Sequence, residues 1–130
     1  MEQRKRDYFD LQVERVLADL PRKVHRLLEV VPLHVEDRPP RWLRRQLGVR
    51  NPCGLLGCFT GVPLDARLRR SGIGLPTMIA IYRSGLFEVS RNEEGHVDPE
   101  VLREQIRITI LHEIGHYYGM DEEQLRELGY

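Results

Sequence analysis

The feature that most constrains the fold is one long helical segment between Asp98 and Gly119. Asp98 and Pro99 are typical of an N-cap followed by the first helical residue, and Gly119 is a typical helix stop. An apolar stripe repeats along the segment at helical spacing, formed by Leu102, Ile106, Ile110, Ile114 and Tyr117. A polar stripe occupies another side, formed by Gln105, Thr109, His112, Glu113 and His116. The pattern predicts a helix that is buried on several faces and borders a cleft with its polar stripe.

The polar stripe contains a metal-binding pattern, because residues 112–116 read His-Glu-Ile-Gly-His. Residues four apart on a helix lie about 40° from eclipsed, so His112 and His116 project from one face. Two imidazoles placed this way can bind one tetrahedral Zn²⁺. Glu113 lies beside them, where it is suited to take a proton from a coordinated water, and it is the predicted general base. The alternative is a solvated helix face, which the apolar flanks disfavour.

A third metal ligand is expected among the acidic residues that follow Gly119. The extended pattern H-E-x-x-H-x-x-G-x-x-Z puts the last ligand at Glu122. Asp121 is the alternative ligand, but residues 121–124 fit a capping box, in which the aspartate already binds backbone amides. Glu122 is therefore preferred. Another interpretation is that these acids only form a solvated helix N-terminus, which the helix dipole favours.

The pattern from His112 to Glu122 resembles that of the zincin metallopeptidases. It is most similar to a family of small bacterial zincin-like proteins with a minimal metallopeptidase fold, and the similarity extends to residues 61–64, 78–83 and 125–128. The resemblance implies a zinc-dependent peptidase. In that family an acidic residue usually stands at the place matched by Glu122.

Length and composition fit one small domain. The chain has 130 residues, of which 41% are hydrophobic and 31% charged, and its 20 basic and 20 acidic residues give zero net charge. Residues 1–130 are therefore expected to form a single domain, and the resemblance implies that it is a zincin-like metallopeptidase domain. The zero net charge argues against a general nucleic-acid binder. The sequence shows no signal peptide or membrane span, which predicts a cytoplasmic protein without a membrane partner.

Two arginine clusters interrupt this even balance of charge. They consist of Arg38, Arg41, Arg44, Arg45 and Arg50, and of Arg67, Arg69 and Arg70. Solvated surface is the ordinary interpretation, and a site for acidic partners is the alternative.

Two cysteines, Cys53 and Cys58, are the only ones in the chain. They could form a disulfide or join a metal site. In a cytosolic chain without other cysteines, two free and partly buried thiols are the expectation.

The remaining patterns predict an α+β domain. Helices are predicted over 4–19, 22–29 and 41–47, and strands over 30–36, 54–64 and 77–83. A loop is predicted over 65–76 and a turn over 92–95, whereas the run at 86–90 is too short to assign. The expected architecture is a minimal zincin-like fold. It has a small three- or four-stranded sheet packed with the H-E-x-x-H helix and two or three other helices.

The predicted function is zinc-dependent hydrolysis of peptide bonds, with a peptide or protein as substrate that could add to a sheet edge beside the metal. A structural or regulatory metal module is one alternative, with His96, His34 or a cysteine as a fourth ligand. A metal-free interaction domain is another. Glu113 favours hydrolysis, because a structural site needs no base. Spacing does not choose an oxyanion donor among Tyr82, Tyr117, Tyr118, Tyr130 and His96.

Overall fold

A small mixed sheet with helices on both faces organises the chain. The structure, a computed structural model, describes residues 1–61, residue 64 and residues 76–130. The helices of this described part are α1 (Gln3–Asp19), α2 (Arg22–Val30), α3 (Arg41–Leu47), α4 (Arg83–Val89), α5 (Pro99–Tyr117) and α6 (Glu122–Glu127). The strands are β1 (Leu33–Glu36), β2 (Gly57–Thr60) and β3 (Met78–Tyr82). None of these helices has the length and apolar character that crossing a bilayer requires.

Strand β3 is the centre of the sheet, in the order β1-β3-β2. It pairs with β1 in parallel and with β2 antiparallel. Its side chains alternate between the two faces, as a strand requires. Ile79 and Ile81 join the main core, whereas Ala80 and Tyr82 pack with Leu43 of α3 on the opposite face. Within the described residues β2 is an edge strand, and this edge borders the site described below.

Helix α5 is the main support of the core. The five residues of the predicted apolar stripe are all buried, with exposed fractions between 0% and 8%. They pack with the sheet and with Phe9, Val13 and Val16 of α1 in one cluster. Asp98 caps the helix, and its Oδ1 accepts the backbone N–H of Glu100 at 2.9 Å. The predicted helix, its cap and its buried face are therefore confirmed.

The predicted α+β class is confirmed, and the differences lie in single elements. Helix α4 occupies residues 83–89. The sequence pattern predicts a strand as far as residue 83 and does not assign the run at 86–90. The helix follows β3 directly, and a short apolar run does not distinguish strand from helix. Strand β1 begins at Leu33, later than predicted, because Val31 is still the C-cap of α2 and donates its N–H to Leu27 O at 2.8 Å. Strand β2 covers only the middle of the predicted 54–64.

Some sequence features cannot be compared with the structure. The predicted loop over 65–76 lies, up to residue 75, outside the described residues. The arginine group at Arg67, Arg69 and Arg70 also lies outside them, as do Val62 and Pro63 of the similar segment at 61–64.

An ion-pair network ties α1 to the start of α4. Arg83 is only 9% exposed, and its guanidinium contacts Asp10 at 2.9 Å and Asp37 at 3.0 Å. Arg6 approaches the other side of Asp37 at 2.7 Å. Side-chain hydrogen bonding by Arg6 is the largest influence on Asp37, and with that of Arg83 it lowers the pKa of this carboxyl in spite of the opposing effect of burial.

We expect Asp37→Asn to lower the free energy of unfolding by about 1–3 kcal/mol at neutral pH, because charged hydrogen-bond partners are lost. The pKa of Asp37 is lowered on folding, so its ionised form stabilises the protein above its ordinary pKa of 3.8. This stabilisation disappears as the pH falls through the lowered pKa. On acidification below about pH 4, wild type should therefore lose more stability than the variant.

Urea unfolding at neutral and acidic pH measures both effects. Asp19→Asn is a matched control, because Asp19 ends α1 at an exposed position and forms no ion pair with any described residue. This control should change stability by less than about 0.5 kcal/mol. Equal destabilisation by the two substitutions would show that the network contributes nothing specific.

Candidate metal centre

Helix α5 presents the two motif histidines to a partly open surface. The side chains of His112 and His116 are 23% and 26% exposed. Their Nε2 atoms lie 3.1 Å apart. The i, i+4 spacing thus gives the predicted shared face, and both rings remain accessible from solvent.

The turn after α5 fixes the orientation of His116. Gly119 has φ +86°, in the left-handed region that glycine adopts without a Cβ clash. The turn brings the Met120 carbonyl oxygen to 3.0 Å from His116 Nδ1. A carbonyl oxygen only accepts, so Nδ1 carries the proton and donates it. In a neutral ring this tautomer leaves the Nε2 lone pair available to a metal, 2.8 Å from Glu122 Oε1 and 3.1 Å from His112 Nε2, as in metal-binding histidines whose other nitrogen is held by a carbonyl.

The capping box predicted at the start of α6 is present. Asp121 Oδ1 accepts the Gln124 N–H at 2.8 Å, and Gln124 Oε1 accepts the Asp121 N–H at 2.8 Å. Asp121 is thereby directed to the backbone. Glu122 is directed to the histidines instead, with Oε1 at 2.8 Å from His116 Nε2 and Oε2 at 3.3 Å from His112 Nε2.

A close contact between α5 and α6 positions Glu122. Leu125 of α6 is fully buried and lies directly against Gly115, so that a Cβ at position 115 would overlap its side chain. The second variable residue of the H-E-x-x-H motif is therefore a glycine that lets the two helices approach.

Three potential ligand groups converge at this point. Within the described chain His112, His116 and Glu122 form a group whose ligand atoms lie within 4.8 Å of one another. Zn–N and Zn–O distances near 2.0–2.1 Å would place ligand atoms about 3.3 Å apart in a tetrahedral site. The closest separations here are 2.8, 3.1 and 3.3 Å. A carboxylate oxygen this close to an unprotonated Nε2 is repulsive unless a proton or metal ion lies between them. The donor set therefore fits zinc.

No fourth protein ligand joins this group within the described residues. His96 is exposed and its nearest acid is Glu94, at 3.7 Å. Cys53 and Cys58 are free thiols, as expected. Burial, followed by the charge of Glu113, raises the pKa of Cys58 to about 11, so its thiol stays protonated at neutral pH and is a poor ligand. The described residues thus offer three protein ligands, the number that catalytic zinc sites use.

Glu113 lies beside the three converging groups but is not one of them. It is 6% exposed. Burial raises the pKa of Glu113 above its usual value, while the charges of His112 and His116 and a hydrogen bond from the Phe59 backbone N–H oppose this change. Phe59 belongs to β2, so the carboxylate lies between α5 and the sheet edge. This contact could not be predicted from sequence patterns, because it joins residues that are far apart in the chain.

The candidate oxyanion donors differ in burial and in their contacts. Tyr82 is buried on the α3 face of the sheet, and burial raises the pKa of its hydroxyl. Tyr117 is 3% exposed and packs edge-on against Phe59. Tyr130 hydrogen-bonds to Arg107. Tyr118, directly after α5, is the most exposed of these four tyrosines, at 52%.

The fold and the motif helix together define a minimal zincin-like α+β protein. The family model described as zincin-like metallopeptidase matches residues 28–130, which include all of the sheet, the motif helix and α6. The chain therefore belongs to the zincin-like metallopeptidase family, and the resemblance inferred from its motif is confirmed. None of the curated proteins compared with the chain matches it.

The assignment of Glu122 rather than Asp121 as third ligand can be tested directly. We expect Glu122→Ala to weaken zinc binding at least tenfold more than Asp121→Ala, because only Glu122 would contribute a ligand atom. Asp121→Ala should instead cost about 0.5–2 kcal/mol of stability through loss of the helix cap. Competition with a zinc chelator measures the first effect and thermal unfolding the second. The reverse ranking of the two zinc affinities would move the ligand to Asp121.

Proposed function

We propose that the protein is a zinc-dependent peptidase in which His112, His116 and Glu122 hold the metal and Glu113 is the general base. One observation carries this proposal. The Nε2 atoms of two histidines and the carboxylate of Glu122 converge at separations of 2.8 to 3.3 Å, beside a second, buried carboxylate. Family membership supports peptide bonds as the substrate class.

The chain's own groups can supply the metal ligands and the general base that peptide hydrolysis needs. When bound, Zn²⁺ supplies a Lewis acid that polarises the scissile carbonyl and lowers the pKa of a coordinating water toward ~7. Glu113 takes the proton of the attacking water and passes it to the leaving amine. Its burial raises its pKa, which favours holding the proton between the two steps. The Phe59 N–H orients the Glu113 carboxylate, and the Met120 carbonyl orients His116.

The side of β2 that faces away from β3 is an edge within the described residues, and it is suited to bind the substrate backbone. The Tyr82 N–H donates to Leu56 O at 2.9 Å, and the antiparallel register continues from this pair through Cys58 and Ala80. Because backbone groups alternate in direction along a strand, those of Gly57 and Phe59 face away from β3. The Phe59 N–H is bound to Glu113, so a substrate would pair with the Gly57 backbone and the Phe59 carbonyl. An extended peptide pairing with this edge would lie beside Glu113, with its carbonyl group near the metal site.

The set of three ligands among the described residues favours an enzyme over a structural metal module. A structural zinc site is closed by four protein ligands, whereas the described residues bring together three. The buried base beside them has no use in a structural site. Glu122 is 65% exposed, so the third ligand faces solvent from which a substrate can approach.

We further propose that residues 1–130 act as one domain. Helix α1 lies outside the segment that matches the family, yet its residues Phe9, Val13 and Val16 belong to the same core cluster as α5. Removing α1 would expose one face of the motif helix.

Digestion of a mixed peptide library tests the proposed function. Zinc-loaded protein should produce new peptide termini, which mass spectrometry detects. Removal of the metal with a chelator should stop the cleavage, and added zinc should restore it. Absence of cleavage by fully loaded protein would contradict the peptidase and favour the metal-binding module.

A further inference from the structure

The arginines between Arg38 and Arg50 form a local excess of positive charge in a chain of zero net charge. This segment contains Arg38, Arg41, Arg44, Arg45 and Arg50, and no acidic residue occurs between Asp37 and Asp65. None of the ion pairs among the described residues involves these five arginines. Their charge is therefore not neutralised by a carboxylate within the described part of the protein.

Helix α3 collects three of these arginines on its outward side. Leu43 is 5% exposed and packs on the sheet. At about 100° per residue, Arg41, Arg44 and Arg45 fall within an arc of about 100° on the side away from Leu43. The helix then ends at Gly48, and the chain turns so that Arg50 approaches the same group.

These side chains line an open surface pocket of about 540 Å³, formed by Arg41, Arg44, Arg45, Gly48, Val49 and Arg50. Its volume lies in the range of small-molecule sites, but apolar side chains are nearly absent from its walls. Arg44 Nη1 donates to the Arg50 carbonyl oxygen at 3.2 Å, which orders the guanidinium. Arg44 Nε is buried and has no hydrogen-bond partner among the described residues. A buried donor without a partner is costly, so a small shift of the Arg44 guanidinium toward an acceptor in the pocket would be favourable.

We propose that this arginine pocket binds a linear chain of phosphates, as carried by inorganic polyphosphate or a nucleoside polyphosphate. Guanidinium groups offer paired N–H donors that match phosphate oxygens, and they keep their charge at any physiological pH. Four of them line the pocket, which suits a ligand with several negative charges in a short length. This site is separate from the proposed peptidase site and does not depend on it.

Two other polyanions fit these observations less well. An extended acidic peptide directs side chains to one face only about every 7 Å, so a cavity of this size would take one or two of its carboxylates. A nucleic-acid strand needs basic residues over a longer surface, and the zero net charge of the chain does not favour it.

Trp42 provides the signal for a binding test. It is the single tryptophan of the chain, it lies next to Arg41, and it is 48% exposed. Tripolyphosphate, titrated at constant ionic strength, should change its fluorescence in a saturable way. Arg41→Gln/Arg45→Gln should weaken binding by about tenfold or more, because two charged hydrogen-bonding groups are removed.

A second double variant separates the pocket from general charge. Arg22→Gln/Arg26→Gln removes the same charge from exposed positions on α2, and it should weaken binding by less than about threefold. Arg44→Lys keeps the charge but removes the buried Nε–H, and it should weaken binding by about fivefold or more. Thermal unfolding confirms that each variant is folded.

Tripolyphosphate also binds metals, so the titration is repeated with His116→Ala. The affinity should be unchanged, because the pocket contains no residue of the metal site. Several results would overturn the proposal: binding that does not saturate, equal weakening by the α2 and α3 double variants, an unaffected Arg44→Lys, or loss of binding in His116→Ala. Tighter binding of oligothymidylate or of a polyglutamate peptide than of tripolyphosphate would also overturn it, in favour of a nucleic acid or an acidic protein.

Discussion

Glu113→Gln should lower peptide hydrolysis by a factor of about 10² or more while zinc remains bound, the usual effect of removing a positioned general base. Glutamine keeps the size of the side chain and can still accept the hydrogen bond from the Phe59 N–H. It cannot take a proton from water. Because Glu113 is not among the three converging ligand groups, the zinc affinity should stay close to that of wild type. The measurement is kcat/KM on one cleaved peptide, with both proteins carrying equal zinc.

Glu100→Gln is the matched control for this experiment. Glu100 lies on the same helix, in its first turn and at an exposed position, so the substitution makes the same chemical change away from the site. Its kcat/KM should remain within about twofold of wild type, since surface substitutions change little. Equal activity of wild type and Glu113→Gln would show that Glu113 is not the base.

His116→Ala should weaken zinc binding by several kcal/mol, or more than about 10²-fold, because one of three protein ligands is lost without a substitute. The effect should be large also because the Met120 carbonyl holds the His116 ring in place at 3.0 Å. Elemental analysis and chelator competition measure occupancy and affinity. His25→Ala, at an exposed histidine of α2, should bind zinc as wild type does. Full zinc occupancy in His116→Ala would rule out this ligand assignment.

The local parts of the site could be predicted from the sequence because their causes are local. Asp98 as a cap, the buried stripe of α5 and the capping box of Asp121 follow from residues within a few positions of one another. The alignment of His112 with His116 follows from helix geometry alone. The direction of Glu122 could be inferred in the same way, since an aspartate that caps a helix leaves the next acid free.

The parts that could not be predicted depend on contacts between distant segments. Nothing in the pattern around Glu113 indicates that the Phe59 N–H would hold its carboxylate, since this contact requires the position of β2 beside α5. The packing of Leu125 on Gly115 likewise depends on the turn between two helices. Helix α4 could not be predicted, because the strand pattern extends to Arg83 and the apolar run at 86–90 is too short to assign.

The arginine pocket likewise combines a feature that is visible in the sequence with one that only the fold creates. The sequence indicated a cluster of arginines and left solvated surface as its ordinary explanation. The pocket itself depends on the turn at Gly48, which brings Arg50 back to α3. The Arg44 Nε without a partner among the described residues is likewise seen only in the folded structure.

The central claim is that peptide hydrolysis depends on one zinc ion at His112, His116 and Glu122. Its most direct test is a titration of metal-free protein with zinc while cleavage of a peptide is followed. The rate should rise in proportion to added zinc and level off at one zinc per chain, since the described residues contain a single group of this kind. A rate that does not depend on zinc, or the same zinc-dependent rate in His116→Ala, would contradict the claim.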